Sequence, residues 1–172
     1  MLNRLGAQRP DTFGVIDLTA GYHQAPITLA AQVFTAFITF MGIYQFTRLP
    51  FGPKMAPSYF QQMMASVVLL GLIYSICEVY LDEIIIYAHG HKQFYERLER
   101  LFQRLEDKNI LLKAAKVRLG VKVVEYVGRQ ISKEGISMSS KKITGVTDFP
   151  MHVRFSVSPI TLGIMYQITP MW

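Results

Sequence analysis

A disulfide framework is the first kind of structure that this sequence excludes. Its 172 residues contain one cysteine, Cys77, so no internal disulfide can form. Cys77 stands in an apolar run, where a small hydrophobic core residue is expected. A single free cysteine fits a reducing compartment, and we therefore expect an intracellular protein.

Long apolar runs and phosphate-binding glycine loops are also missing. The longest apolar stretch, 63–77, contains Ser66 and Ser75 and is shorter than the roughly 18 residues of a membrane span. We therefore expect a buried helix there and no membrane partner. No Walker or Rossmann glycine motif is present, and the four histidines have no metal-binding spacing.

Acidic residues are scarce, and their distribution is uneven. Residues 1–90 contain four basic and five acidic residues, whereas residues 91–145 contain thirteen basic and six acidic ones, a net charge of +7. This asymmetry favours a polyanion, most simply nucleic acid, bound along the C-terminal part. A solvated basic helix face explains the charge equally well.

The N-terminal half predicts strands first and then a helix. The run Phe13–Leu18 has the pattern of a short buried strand, and 33–49 predicts two strands joined by a turn at Met41-Gly42. A proline-rich loop follows. A helix is predicted from Ser58 to Ile76, with Ser58 helping to start it.

The C-terminal half predicts a hairpin, a helix and further strands. Two apolar runs within 78–87 flank an acidic break, and 91–108 has amphipathic helical spacing. Strands are predicted at 111–112, 121–127 and 130–138, the last with a turn near Gly135. The expected fold is α+β, with two helices on one face of a mostly antiparallel sheet.

Carboxylates mark the expected chemistry. Asp82 and Glu83 are adjacent inside an otherwise apolar hairpin, where their repulsion favours a bound divalent cation such as Mg²⁺. Asp17 ends another buried strand, and a central sheet can bring it beside this hairpin. Such a site suits two-metal phosphoryl transfer. Alternatively, Asp82 and Glu83 form a solvated turn, and Asp17 caps a turn.

Six segments at plausible intervals point to one family. They are VIDLTAGYHQ (15–24), FTAFIT (34–39), LPFGPKMAPSYFQQMM (49–64), VYLDEIII (79–86), LLKAAK (111–116) and EYVGRQIS (125–132). In this order they resemble the reverse transcriptase of gypsy-type LTR retrotransposons. The resemblance covers about residues 1–150, which we expect to be a polymerase palm domain, and leaves 151–172 as an unassigned tail.

The resemblance implies the residues of a catalytic centre. Asp17, Asp82 and Glu83 would be the catalytic carboxylates, and with the Leu18 carbonyl they would hold two Mg²⁺ ions, or Mn²⁺ in their place. Lys116 would lie near the departing pyrophosphate. A solvated lysine is the alternative for Lys116.

The resemblance also implies contacts with substrates. Tyr22 would pack beneath the deoxyribose and exclude a 2′-hydroxyl, although an aromatic core residue remains an alternative. Phe51 and Gly52 would touch the nucleotide and template. The segment 126–131, with Tyr126, Val127 and Gly128, would grip the primer end.

Two positions depart from the family pattern. Glu83 replaces the usual second aspartate of the Tyr-X-Asp-Asp motif, and Phe34 stands where a basic residue is usual. Most of the fingers and a recognisable thumb are missing from the pattern.

The expected function is RNA-directed DNA polymerisation, with deoxynucleoside triphosphates added to a primer on an RNA or DNA template. The family context implies a larger polyprotein with RNase H and integrase, located in the cytoplasm or in retroelement particles. A catalytically inactive remnant that only binds nucleic acid is one alternative, and an interaction domain without metal is another.

Overall fold

The computed structural model describes residues 2–138, with side chains from residue 4 onward. Residues 1–139 form one compact unit. The predicted tail 151–172 lies outside the described residues, as does the end of the basic segment beyond Met138. Of the helices within residues 2–138, none has both the length and the apolar composition needed to cross a bilayer.

Five α-helices and nine β-strands make up the described part. The helices are α1 (Leu2–Gln8), α2 (Gly21–Gln24), α3 (Leu29–Gln32), α4 (Ala56–Met63) and α5 (Gly90–Asp107). The strands are β1 (Thr12–Asp17), β2 (Phe37–Thr39), β3 (Gly42–Tyr44), β4 (Cys77–Tyr80), β5 (Glu83–Ala88), β6 (Arg118–Val121), β7 (Val123–Tyr126), β8 (Arg129–Ser132) and β9 (Gly135–Met138). The central sheet has the order β4-β5-β1-β6, and all its pairs are antiparallel.

The central sheet is buried on both faces, because successive side chains of a strand point to opposite sides. On one face, Ile84 and Ile86 of β5 pack with Phe60 of α4 and with the buried side of α5. On the other, Ile85 packs with Tyr126 and other residues of the sheet β7-β8-β9. The predicted α+β fold, with α4 and α5 on one face, is confirmed. The second sheet behind the other face was not predicted.

The strand before Asp17, the hairpin 78–87 and the long helix agree with their predictions to within one or two residues. The two strands predicted within 33–49 form only around Met41-Gly42, as the short hairpin β2-β3, and Val33–Thr35 is a 3-10 helix instead. This hairpin carries unusually exposed apolar side chains, with Ile38 83% and Phe40 99% exposed. Phe34, which precedes it, is 91% exposed.

The predicted helix from about Ser58 to Ile76 starts within two residues of its prediction, but its C-terminal end and the capping role of Ser58 are wrong. Helix α4 starts at Ala56, with Pro57 in its first turn, and Ser58 lies inside the helix and does not cap it. The helix ends at Met63 and widens into a single π-helical turn, Met64–Val68.

A side chain of α5 binds two backbone carbonyl groups where the π-helical turn ends. The Arg104 guanidinium of α5 donates to the carbonyls of Val68 at 3.3 Å and Leu70 at 2.7 Å. Gly71 follows with φ +80°, a left-handed conformation that glycine adopts without strain. The apolar residues after Val68, including Leu69 and Leu72, therefore enter the core from turns.

Two further strand predictions need correction. Leu112 forms only an isolated bridge with Leu18, so 111–112 is not a strand. The predicted strand 121–127 is divided at Lys122, where the chain passes from β6 in the central sheet to β7 in the second sheet. The turn near Gly135 is confirmed, between β8 and β9.

Cys77 is fully buried on the helix-packed side of the sheet, as expected of a small core residue. Burial raises the pKa of its thiol to about 12, so the thiolate is not available near neutral pH.

Candidate active site

The strand β1 places Asp17 directly beside the β4-β5 hairpin. Asp17 is paired with Glu83 across the antiparallel ladder, and the Leu18 N–H donates to the Asp82 carbonyl at 2.9 Å. Side chains directly opposite each other in such a pair have Cβ atoms about 5 Å apart. The structure thus brings all three predicted carboxylate residues to the same end of the sheet.

Two residues shape the hairpin turn that carries Asp82. Leu81 has φ 54°, and its N–H donates to the Gln61 side-chain oxygen at 2.7 Å. The Gln61 amide donates in turn to the Val79 carbonyl at 3.2 Å. One side chain of α4 therefore binds the backbone on both sides of Tyr80. Asp82 itself is exposed at the turn.

Gly21 allows helix α2 to approach this turn closely. A Cβ atom on Gly21 would lie 2.9 Å from the Asp82 Cβ and 3.2 Å from the Phe60 ring. Both contacts are shorter than packed carbon atoms tolerate. A glycine at this position therefore sets the distance between the segment after Asp17 and the tip of the hairpin.

The Asp17 carboxylate forms an ion pair with the Lys116 ammonium group. Its Oδ2 lies 2.9 Å from the Lys116 Nζ, and this ion pair is partly exposed, with 21% of the Asp17 side chain and 56% of the Lys116 side chain accessible. The hydrogen bond with Asp17 raises the pKa of Lys116, and the charges of Asp82 and Glu83 act in the same direction. Lys116 thus neutralises part of the negative charge of the three carboxylates.

Glu83 makes a different contact from the other two acids. Its Oε2 accepts from the Val127 N–H at 3.2 Å. Burial raises the pKa of Glu83 and the charges of Asp17 and Asp82 raise it further, while the Val127 hydrogen bond opposes them. The carboxylate therefore faces the turn between β7 and β8.

An aromatic cluster lies next to the carboxylates. The Tyr22 ring in α2 lies 4.9 Å from the Phe51 ring and 5.0 Å from the Phe60 ring, measured between centroids. Partial burial raises the pKa of Tyr22, and the nearby Asp82 charge raises it further. Phe51 is 67% exposed, and Gly52 follows it with φ +110°. The structure thus groups Tyr22 with Phe51, close to Asp82.

The predicted primer-gripping residues form the β7-β8 turn. Tyr126 is fully buried, and its Oη donates to the Glu83 carbonyl at 3.4 Å. Val127 and Gly128 are the two turn residues, with φ of 49° and 67°. This turn contacts the β4-β5 hairpin through Glu83.

The carboxylate oxygens of the site are the type of ligand that a hard divalent cation prefers. Asp17 and Asp82 supply carboxylate oxygens, which Mg²⁺ prefers, and the Asp17 carboxylate would have to exchange Lys116 for the metal. Within residues 2–138, no group of three or more His, Cys, Asp or Glu side chains is arranged to hold a metal ion. The Glu83 Oε2 is turned towards the Val127 N–H, and metal binding by Asp17, Asp82 and Glu83 stays a prediction.

Sequence reasoning missed three residues that shape the site: Gly21, Gln61 and Gln24. The Gln24 side chain bonds both backbone groups of Leu111, with its oxygen 2.7 Å from the N–H and its nitrogen 3.0 Å from the carbonyl. This contact ties α2 to the segment that leads to Lys116. Gln24 and Gln61 lie inside the motif segments. Gln61, next to Phe60 and the two methionines 63–64, is the one whose surroundings indicate such backbone bonding.

Residues 4–147 match the family model described as reverse transcriptase (RNA-dependent DNA polymerase). Over 138 residues the chain is 33% identical to the Retrovirus-related Pol polyprotein from transposon opus of Drosophila melanogaster, covering 80% of this chain and 14% of that protein. Over 151 residues it is 31% identical to the polyprotein from transposon 412 of the same organism, covering 88% of this chain and 12% of that protein.

Solved structures agree with the fold. The foamy viral protease-reverse transcriptase in complex with an RNA/DNA hybrid superposes with a TM-score of 0.74 at 24% identity, covering 84% of this chain and 19% of that one. The native prototype foamy virus protease-reverse transcriptase gives a TM-score of 0.62 at 29% identity, covering 70% and 16%. With Asp17 beside the Asp82 hairpin and a family match across most of its length, the chain belongs to the reverse transcriptase family.

Proposed function

We propose that this chain is the palm of an RNA-directed DNA polymerase that extends a primer with deoxynucleoside triphosphates. The observation that carries the proposal is the register of β1 against β5, which sets Asp17 opposite Glu83 and binds Leu18 to Asp82. The chain spans 14% of the polyprotein from transposon opus. A larger polyprotein with RNase H and integrase, as the resemblance implies, would be the context in which it works.

Asp17 and Asp82, with the Leu18 carbonyl, would hold two Mg²⁺ ions. When bound, these ions would lower the pKa of the primer 3′-hydroxyl and neutralise the charge of the triphosphate. The protein itself contributes preorganisation, since Gln61 and Gly21 set the position of the Asp82 turn before any substrate arrives.

Lys116 would supply a positive charge near the departing pyrophosphate. Its ammonium group is paired with Asp17, so it lies beside the carboxylates of the candidate site. A lysine has an ordinary pKa of about 10.4 and is protonated at neutral pH, as a proton donor or counter-charge requires.

Tyr22 would select the sugar. The ring is packed between Phe51 and Phe60 and is therefore held in position near Asp82. A fixed ring beneath the sugar excludes a 2′-hydroxyl by steric clash. We expect Tyr22→Ala to admit ribonucleotides while deoxynucleotide use is retained.

Primer extension on RNA and DNA templates, with Mg²⁺ or Mn²⁺, tests the proposal. We expect little extension by the unmodified chain alone, and loss of at least about 100-fold of that activity in Asp82→Ala. Asp107→Ala is the matched control, because Asp107 is an exposed carboxylate at the end of α5. Full activity of Asp82→Ala would overturn the catalytic assignment.

A remnant that binds nucleic acid without catalysis is the second candidate. The Lys116–Asp17 ion pair and the orientation of Glu83 favour it, since both leave fewer carboxylates for metal. Such a protein would bind primer–template with a steep salt dependence and extend no primer under any metal condition.

A further inference from the structure

The Glu83 side chain faces the turn between β7 and β8. Alternation along β5 puts Glu83 on the same face as Ile85, against the second sheet. Two contacts follow: the Val127 N–H donates to Glu83 Oε2 at 3.2 Å, and the Tyr126 Oη donates to the Glu83 carbonyl at 3.4 Å. One residue of the catalytic hairpin is thus bound to consecutive residues of the other hairpin.

The turn that Glu83 contacts is strained. Val127 has φ 49°, a left-handed conformation that is unfavourable for a β-branched residue, and Gly128 follows with φ 67°. Strained backbone of this kind persists where surrounding contacts hold it. The Glu83 carboxylate is such a contact, because its Oε2 reaches the turn and accepts from the Val127 N–H.

We propose that Glu83 is a positioning residue that fixes the Val127–Gly128 turn to the catalytic hairpin, so that the primer end is set against Asp17 and Asp82. The proposal rests on the polymerase function proposed above. It assigns metal binding to Asp17 and Asp82 and gives Glu83 a separate role.

Side-chain length supports this assignment. An aspartate at position 83 would be shorter by one carbon–carbon bond, about 1.5 Å. The Glu83 Oε2 now lies 3.2 Å from the Val127 nitrogen. A carboxylate drawn back by the length of that bond would lie beyond hydrogen-bonding distance of the nitrogen unless the backbone moved. The longer side chain that departs from the family pattern is therefore the one that can reach the turn.

Two variants at position 83 separate the effect of side-chain length from that of side-chain charge. Glu83→Gln keeps the length and an acceptor oxygen but loses the charge, whereas Glu83→Asp keeps the charge and loses the reach. If Glu83 positions the turn, Glu83→Gln should behave like the unmodified chain and Glu83→Asp should not. If Glu83 is a metal ligand, the order of the two variants is reversed.

Amide hydrogen exchange of the full chain tests the contact without nucleic acid or metal. We expect the Val127 amide to exchange about tenfold faster in Glu83→Asp and at a nearly unchanged rate in Glu83→Gln. Amides of β9, such as that of Ile136, serve as the internal control. Equal protection in Glu83→Asp, or equal loss in both variants, would overturn the contact.

Primer placement is tested with 2-aminopurine at the primer 3′ end, together with a Mn²⁺ titration. We expect the fluorescence change on binding to be retained in Glu83→Gln and reduced in Glu83→Asp, with Mn²⁺ affinity unchanged in both. Weaker Mn²⁺ binding in Glu83→Gln would overturn the proposal in favour of a metal ligand. If the unmodified chain binds no primer–template, primer placement by Glu83 fails together with the proposed function, and the exchange rates alone decide the Val127 contact.

Discussion

Gly21 is a residue at which one added methyl group should disturb the site. The new Cβ would meet the Asp82 Cβ and the Phe60 ring at 2.9 and 3.2 Å, so either the turn or the ring must move. We expect Gly21→Ala to lower the free energy of unfolding by about 1–3 kcal/mol, the usual cost of overpacking, and to reduce primer extension. Urea unfolding and extension assays measure the two effects.

Gly6→Ala is the matched control for this prediction. Gly6 lies in α1, and a Cβ there would meet nothing within 4 Å. Alanine favours helix over glycine by about 1 kcal/mol, so this variant should be neutral or more stable. Gly21→Ala as stable and active as Gly6→Ala would contradict the close approach of α2 to the hairpin.

Glu78 is a second residue whose replacement should change stability measurably, because its carboxyl group is buried. It is 1% exposed, and the Arg4 Nε lies 4.0 Å from its Oε1. Among the described residues, neither Glu78 Oε1 nor the buried Tyr87 Oη has a hydrogen-bond partner. Burial raises the pKa of Glu78 above its ordinary 4.5, and Arg4 only partly offsets this.

The raised pKa gives a defined pH dependence. The folded protein binds the Glu78 proton more tightly than the unfolded chain, so this contribution to stability is complete below about pH 4.5 and is lost as pH rises through the folded-state pKa. We expect Glu78→Gln to gain unfolding free energy relative to the unmodified chain between pH 4.5 and 8. Urea unfolding across that range measures the difference.

The exposed Glu99 provides the control for this pH profile. Glu99→Gln removes a carboxylate of the same type from the surface of α5, and its stability difference should vary little with pH. A Glu78→Gln difference that stays constant from pH 4.5 to 8 would show that Glu78 ionises as easily in the folded protein as in the unfolded chain.

At the scale of single elements, Arg104 of α5 binds the end of the π-helical turn that follows α4. Its guanidinium bonds the Val68 and Leu70 carbonyls where the π-helical turn stops. We expect Arg104→Met to lower the free energy of unfolding by about 1–3 kcal/mol, because hydrogen bonds from a charged donor are lost. Arg100→Met, which removes an exposed arginine of the same helix, should change stability by less than about 0.5 kcal/mol.

Periodicity predicted the elements whose pattern is local. Strands β1 and β5 alternate between two buried faces, and α5 has four buried residues at helical spacing, so each was located from its own residues. The end of α4 could not be located in this way. The run 63–77 is apolar apart from Ser66 and Ser75. The contact at the end of its helix comes from Arg104, more than thirty residues further along the chain.

In the candidate site, too, local patterns located some residues and could not indicate the contacts between distant segments. The order of the motif segments located Asp17, Asp82 and Lys116, and the structure brings them together. Their catalytic and metal-binding roles stay predictions. The orientation of Glu83 depends on a contact with Val127, 44 residues away, and on a turn with positive φ. No pattern within either segment indicates that contact.

At the scale of the whole molecule, the charge asymmetry should govern nucleic-acid binding. Lys113, Arg118 and Arg129 are exposed on segments that adjoin Asp17 and the Val127–Gly128 turn. Replacing all three with Gln should weaken primer–template binding for every sequence and reduce the slope of log Kd against log salt by about 0.9 for each lost phosphate contact. Fluorescence anisotropy at several salt concentrations measures the slope.

The control removes equal charge elsewhere. Lys92, Arg100 and Lys108 are exposed cations on or just after α5, which packs on the opposite face of the central sheet from Glu83. Their replacement with Gln should leave most of the slope intact. Equal effects of the two triple variants would show that nucleic acid does not follow the surface next to Asp17.

The strand order of the central sheet also determines how the protein can fold during its synthesis. β1 lies between β5 and β6, and Phe13 pairs with both Tyr87 and Val121. In a growing chain, the edge of β1 that pairs with β6 therefore stays open until residue 121 has left the ribosome, even after β5 has paired with the other edge. Such distant pairing makes folding slow and exposes the open edge to aggregation. Lys116 precedes β6, so Asp17 acquires its counter-charge at the same step that closes the sheet.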